Sequence, residues 1–186
     1  ILETTNEKYI LTLFEKRVNE KDIPFYLGLM NHLADHKVPC PRPIKKTDGS
    51  FVGTLAGKKS TIVSFLDGHQ SQDISWMQCK SAGKMLAKIH HKASVFNETK
   101  PNNFGISSFR SLYSKVNEGL NKIQGRISKE VKAELFFIEE NWSGFSNEDI
   151  PKGLIHGDYF PDNVFFQSDT VRGVFDFYFS CNDFYL

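Results

Sequence analysis

The sequence predicts an α+β fold in two lobes, a small antiparallel β lobe followed by a larger, mainly helical one. Three observations predict it. β-rich runs separated by turn signals fill residues 1–66. Helical apolar spacing takes over after Gly68. A strand–turn–strand pattern returns after Leu154. The expected lobes are therefore 1–66, with a connecting strand over 61–66, and 67–186. Clefts between lobes are preferred ligand sites.

The elements follow in order. "ILETTNEKYILTLFE" reads as a hairpin, with apolar Ile1-Leu2, a polar turn at Thr5-Asn6-Glu7 and a β-rich run from Tyr9 to Phe14. Asp22 is placed to cap a helix whose first turn holds Pro24, where a missing N–H costs nothing. Ile23, Leu27, Met30 and Ala34 give that helix its apolar face, and "VPCPRP" ends it. Ile44–Lys46, the turn "TDGS" and Phe51–Leu55 suggest a second hairpin. "STIVSFLDG" reads as a buried strand closed by Asp67-Gly68. Ser75 with Gln78 is a capping-box signature, and Ala82, Met85, Leu86, Ile89 and Ala93 form the stripe of the helix it opens. "KPNNFGI" is a loop. Two helices are expected next, over 108–124 with Leu112, Val116, Leu120 and Ile123 inward, and over 128–142 with Val131, Leu135 and Ile138 inward. "SGFSNEDIPKG" is a linker. The end returns to strands at Leu154-Ile155, Val164–Phe166 and Val171–Phe175, the last two joined by "QSDT".

Bulk properties narrow the class. The 186 residues carry 23 Lys+Arg and 22 Asp+Glu, and this balance disfavours nucleic acid as a partner. Seventeen phenylalanines suit a filled core. No run approaches the ~20 apolar residues that would span a bilayer. Cys40, Cys79 and Cys181 are odd in number and far apart, which suggests neither a disulfide framework nor a metal site and fits a cytoplasmic protein. No initiator Met opens the chain, and "CNDFYL" stops in an apolar run, so both ends read as interior to a longer protein.

The chemistry concentrates in "LIHGDYFPDNVFF", Leu154 to Phe166. Gly, Asp, Pro and Asn are turn formers, so a plain strand connection is the bland reading. The spacing argues for more. His156-x-Asp158 is followed, after four intervening residues, by Asn163, and a hairpin over 164–175 would return Asp176 to Asn163. Mg²⁺ takes hard oxygen ligands, often one or two protein groups with substrate phosphates and water. Asn163 and Asp176 fit as metal ligands, and Asp158 as the group accepting a hydroxyl proton.

His-x-Asp-x-x-x-x-Asn followed by a metal-binding Asp resembles the catalytic loop of protein-kinase-like phosphotransferases. "HGDYFPDN" is similar to the aminoglycoside-phosphotransferase-like kinases. With "GVFDFYFSCNDFYL", "FYLGLMNHLADHKVPCPRPI", "VSFLDGH" and "NNFGI", nearly the whole chain resembles the bacterial homoserine kinases of that superfamily. The resemblance implies a two-lobed kinase fold and ATP- and Mg²⁺-dependent phosphorylation of the side-chain hydroxyl of L-homoserine, a step of threonine biosynthesis. Asp158 would be catalytic, and Asn163 and Asp176 would hold the metal. Ser64, Phe65 and Leu66 would hold adenine through their backbone, and His156 would brace the loop. Tyr178 and Asp183 could reach a zwitterionic amino acid, with Asp183 suited to its ammonium.

The chain also departs from the kinase pattern. The lysine expected on the strand "YILTLFE" falls on Thr12, and the following helix has no Glu in its body, with Gly28 where one is wanted. Both partners are absent together, which leaves no buried charge unpaired. Lys8, Lys16 or Arg17 could substitute. Three alternatives stay open: a kinase for choline or an aminoglycoside, a pseudokinase-like binding module, and a metal-dependent hydrolase.

Overall fold

The computed structural model describes residues 1–142 and 150–185, with side chains at all but residues 107, 117, 118 and 120–126. The described chain divides into two compact units. Ile1–Lys100 and Gly153–Cys181 form the first; Pro101–Lys152 and Asn182–Leu186 form the second. The lobe boundary expected at residue 66 falls inside the first unit.

In the first unit, strands β1 (Leu2–Glu3) and β2 (Lys8–Leu13) form the expected N-terminal hairpin. A short 3₁₀ turn over Glu20–Asp22 leads into helix α1 (Ile23–Asp35). Here the structure corrects the sequence reading. Asp22 is already in helical conformation (φ −90°, ψ −13°) and its side chain caps nothing. Its carboxylate instead pairs with the nearly buried Lys100 at 3.1 Å. The side chain that caps is Asn19, which accepts the Lys21 N–H. Ile23, Leu27, Leu29, Met30 and Leu33 are buried, as a 3.6-residue period demands of a core-facing helix.

Strands β3 (Gly53–Leu55) and β4 (Lys58–Ser64) complete a four-stranded antiparallel sheet in the order β1-β2-β4-β3. The second hairpin is therefore not the one the sequence suggested. Residues 44–46 form no strand, and "TDGS" makes only a local turn, in which the Lys46 N–H bonds to the Ser50 carbonyl at 2.8 Å. The hairpin turns at Ala56-Gly57, both with positive φ (50° and 76°), the signature of a two-residue primed turn. Alanine rarely takes such a φ, so Ala56 carries no turn signal of its own.

Helix α2 (Trp76–Ala93) starts at the predicted capping box, with both reciprocal bonds made. Gln78 does double duty. Its Oε1 accepts the Ser75 N–H while its Nε2 donates to the Ser168 carbonyl at 3.0 Å.

In the second unit, α3 (Ile106–Trp142) is one helical run where two helices were expected. Its halves nonetheless lie against each other. Arg110 Nε is 2.6 Å from Glu139 Oε1, and the Tyr113 hydroxyl is 3.1 Å from the Ser128 carbonyl. A straight helix would set residues 110 and 139 about 43 Å apart. Of the positions expected inward, Val116 and Val131 are exposed, because a helical period defines a face without supplying its partner. The side chains of Leu120 and Ile123 are not described, and residues 143–149 of the linker expected over 143–153 lie outside the described residues. Strand β5 (Lys152–Ile155) returns the chain to the first unit.

There, β6 (Val164–Gln167) and β7 (Thr170–Val174) form the predicted hairpin. Three bonds from its neighbourhood fix it to α2. The Tyr159 hydroxyl donates to the Ala82 carbonyl, the Val171 N–H to Ser81 Oγ, and Gln78 to Ser168. β8 (Cys181–Phe184) leads out again. Phe14, Ile23 and Leu27 share one core with Val164, Phe166 and Phe177. No helix among the described residues is long and apolar enough to cross a membrane.

Candidate active site

The hairpin sets the site. In the β6–β7 register Val164 opposes Val174, so Asn163 and Phe175 face each other at its open end. The Phe175 N–H donates to the Asn163 carbonyl at 3.1 Å and closes that end. Asp176 follows at φ 61°, ψ 55°. This left-handed conformation is one that Asp and Asn tolerate better than other side-chain-bearing residues.

The loop of residues 156–163 closes over the same end. Gly157 has φ 79°, and a Cβ there would lie 2.4 Å from the Phe179 carbonyl oxygen, so only glycine fits. His156 is 1% exposed. Its Nε2 is 3.0 Å from the Phe175 carbonyl, which can only accept, so Nε2 carries the proton and donates. Nδ1 is then free to accept the Asp158 N–H at 3.3 Å. Burial pushes this imidazole down to about 4, against the hydrogen bond to Phe175 and the charge of Asp158. His156 is therefore neutral near pH 7, a brace between loop and hairpin. The buried Ser180 hydroxyl donates to the His156 carbonyl at 3.1 Å and ties the other side.

Asn163 is nearly buried, and its Nδ2 donates to both the Asp158 carbonyl (2.9 Å) and Asp158 Oδ2 (3.0 Å). The bonds orient Asp158 and leave Asn163 Oδ1 facing away from its own donor group. Burial first, and the Asp158 charge second, push the Asp176 carboxyl above its ordinary range, while Arg17 pulls it down. The carboxylates of Asp158 and Asp176, beside the amide oxygen of Asn163, make a set of hard oxygens suited to a divalent cation. Among the described residues no group of three or more His, Cys, Asp and Glu forms a metal-ligand set, and the oxygen set here counts an amide.

A cavity of about 400 Å³ lies against Asp176. Ser64, Phe65 and Leu66 form one wall, and Phe165 and Phe175 belong to its apolar lining. The Ser64 N–H and hydroxyl bond to Arg42, and the Phe65 N–H donates to the Lys8 carbonyl at 3.3 Å. The Leu66 N–H donates to no described residue. An apolar slot with an unused backbone donor on its rim suits a flat heteroaromatic ring. Leu66 itself packs onto Gly173, where a Cβ would lie 2.8 Å from Leu66 Cδ1.

Thr12 and Tyr178 line the same cavity. Burial raises the Tyr178 hydroxyl to about 12, opposed by the neighbouring Thr12 hydroxyl. Its ring meets Phe14 and Tyr26 edge-on at 5.1 and 5.9 Å. The α1 residue in the cavity lining is Met30. Gly28 instead faces Phe96 and Glu98. Asp183 belongs to the second unit. There its carboxylate accepts from Asn102 Nδ2 and from the Phe184 N–H at 2.8 Å.

Sequence reasoning missed the apolar walls Ile10, Met30 and Phe165. Strand alternation could have supplied Ile10, which shares the face of Thr12 two residues on. It also missed Ser180, whose buried hydroxyl carries no sequence signal.

Comparison with known proteins gives a consistent result. A homoserine kinase of Rhizobium meliloti (strain 1021) is 42% identical over 184 residues, covering 99% of this chain and 55% of that protein. One of Mesorhizobium japonicum is 41% identical over 185 residues, covering 100% of this chain and 57% of that protein. The chain thus spans about half the length of the relatives it matches. Among solved structures, spectinomycin phosphotransferase APH(9)-Ia in complex with ADP and spectinomycin aligns with a TM-score of 0.70 at 16% identity, over 97% of this chain and 59% of that one. Amicoumacin kinase hAmiN, in complex with AMP-PNP, Ca²⁺ and Ami, aligns with a TM-score of 0.69 at 15% identity, over 96% of this chain and 54% of that one. These two likenesses establish the kinase-like α+β fold. The sequence model of the phosphotransferase enzyme family matches residues 1–186 without remainder, and this chain belongs to that family.

Proposed function

We propose that the protein is an ATP-dependent kinase that phosphorylates the side-chain hydroxyl of L-homoserine. The observation that carries the reading is the bond from Asn163 Nδ2 to Asp158 Oδ2, at the hairpin end where Asp176 stands beside the cavity rimmed by Ser64–Leu66. Relatives at about 40% identity that bear the name homoserine kinase support the acceptor.

Residues 1–66 act as the nucleotide lobe, hinged at Ser64–Leu66, and residues 67–186 carry the catalytic loop. Adenine enters the apolar slot, where the Leu66 N–H is available to it. Thr12 lies along the path from that slot to Asp176. Asn163 Oδ1 and the Asp176 carboxylate hold Mg²⁺, which when bound neutralises charge on the nucleotide phosphates. Asp158, oriented by Asn163, accepts the proton of the attacking hydroxyl and aligns its oxygen. His156 stays neutral and keeps the loop on the hairpin. Tyr178 serves as a wall of the nucleotide cavity. Asp183, whose two carboxylate oxygens each keep a lone pair beside the bonds from Asn102 and the Phe184 N–H, is the candidate partner of the acceptor's ammonium.

The test is a coupled ADP-release assay of the whole protein over a panel of alcohols. L-Homoserine should turn over with ATP and Mg²⁺. Turnover of choline or an aminoglycoside in its place would sink the reading.

A further inference from the structure

Between His156 and Asn163 the loop makes a tight turn of three residues. The Phe160 N–H donates to the Asp158 carbonyl at 2.9 Å, which leaves Tyr159 at the tip. The two side chains ahead of Phe160 take different directions. Asp158 points to Asn163, whose Nδ2 lies 3.0 Å from its Oδ2. Tyr159 points to helix α2, where its hydroxyl donates to the Ala82 carbonyl at 2.9 Å. Its ring meets His156 edge-on at 5.6 Å. The bond that holds the Asp158 N–H, to His156 Nδ1, is long at 3.3 Å.

The helix that receives the Tyr159 hydroxyl is itself tied to the β6–β7 hairpin. Gln78, Ser81 and Ala82 stand at i, i+3 and i+4, so they share one face of α2. From that face Gln78 donates to the Ser168 carbonyl at 3.0 Å, and Ser81 Oγ accepts the Val171 N–H at 3.0 Å. Ser168 and Val171 belong to the hairpin whose open end carries Asn163 and leads into Asp176. The contacts form a closed circuit from Asp158 through Tyr159, α2 and the hairpin to Asn163, and back to Asp158. A carboxylate held by Asn163 alone is free to swing with its turn. A second tether at the tip removes that freedom. We infer that Tyr159 is a positioning residue, whose hydroxyl on Ala82 sets the direction of the Asp158 carboxylate relative to Asn163 and Asp176. The inference rests on the kinase reading above. Tyr159 does not line the cavity beside Asp176, so its influence falls on the alignment of the base and not on nucleotide binding.

Steady-state kinetics of the whole protein with ATP, Mg²⁺ and L-homoserine, together with calorimetry of MgADP binding, test this. Tyr159→Phe keeps the ring beside His156 and removes only the hydroxyl. It should lower kcat by about 3- to 10-fold, the order of one hydrogen bond's net worth. Both Michaelis constants and the MgADP affinity should hold. In the Asp158→Asn background the same substitution should change kcat by less than about 2-fold, because no base is left to aim. Unchanged kcat in Tyr159→Phe overturns the assignment while the kinase reading stands. So does a loss of MgADP affinity, a rise in either Michaelis constant, or an equal fall in kcat in both backgrounds. A wild-type protein that releases no ADP with any alcohol of the panel overturns both.

Discussion

Acidification should loosen the loop of residues 156–163 through His156 before it reaches most of the molecule. The imidazole titrates at about 4 in the fold against an ordinary 6.5, because it is buried. The folded state therefore binds fewer protons than the unfolded chain between those values, so stability rises with pH across that window. It is fully present above about 6.5 and is lost as pH falls towards 4. The whole interval is worth roughly 3 kcal/mol, and about 2 kcal/mol of it is gone by about pH 5. At 1% exposure, solvent screening takes little from this figure. Protonating Nδ1 also abolishes its acceptance of the Asp158 N–H, so activity should fall with stability. Other groups titrate as well, so the measurement is a difference. Urea unfolding of wild type and His156→Gln is compared between about pH 7.5 and about pH 5. The glutamine amide can still donate to the Phe175 carbonyl but does not titrate. The wild type should lose about 2 kcal/mol more than the variant. Parallel pH dependences would refute the reasoning.

Gly157→Ala should cost about 2–5 kcal/mol, from left-handed backbone strain and a forced shift of the Phe179 carbonyl 2.4 Å from the new Cβ. A loss under about 1 kcal/mol in urea midpoints would mean that the loop relaxes freely. Asp158→Asn should lower kcat by about 10²- to 10⁴-fold, the usual worth of a positioned general base. Nucleotide affinity should hold, because Asp158 does not line the cavity beside Asp176. The same substitution removes a charge that raises the Asp176 carboxyl, so that carboxyl should titrate lower when followed by NMR. An unmoved Asp176 would separate the two groups.

Local signals carried much of this architecture. The capping box at Ser75–Gln78, Pro24 in the first turn of α1 and the strand–turn–strand over 164–174 are decided by neighbours in sequence, and each was readable. The meeting of Asn163 with Phe175 follows from hairpin register alone, which is why Asp176 could be placed beside the loop from spacing. What stayed hidden depends on distant partners. Asp22 looks like a cap until Lys100, far along the chain, takes its carboxylate. Ala56 turns a hairpin because the strands on either side pair, against its own preference for negative φ. Val116 and Val131 match a helical period yet lie exposed. Tyr178 read as core or substrate contact, and only the packing of Phe14 and Tyr26 against its ring shows how it comes to line the cavity beside Asp176.

The first unit is threaded from two separate stretches, with its second stretch ending at Cys181. Synthesis is vectorial, so the first hundred residues emerge with Phe14, Ile23 and Leu27 still lacking Val164, Phe166 and Phe177 as partners. At about 5–20 residues per second, the interval between Lys100 and Cys181 leaving the peptidyl-transferase centre is roughly 4–16 s. During that time a β sheet with an open apolar side waits on the ribosome. The hairpin that bears the candidate site groups is also what seals the core of the sheet made before it, so folding is completed by the same late segment that carries them.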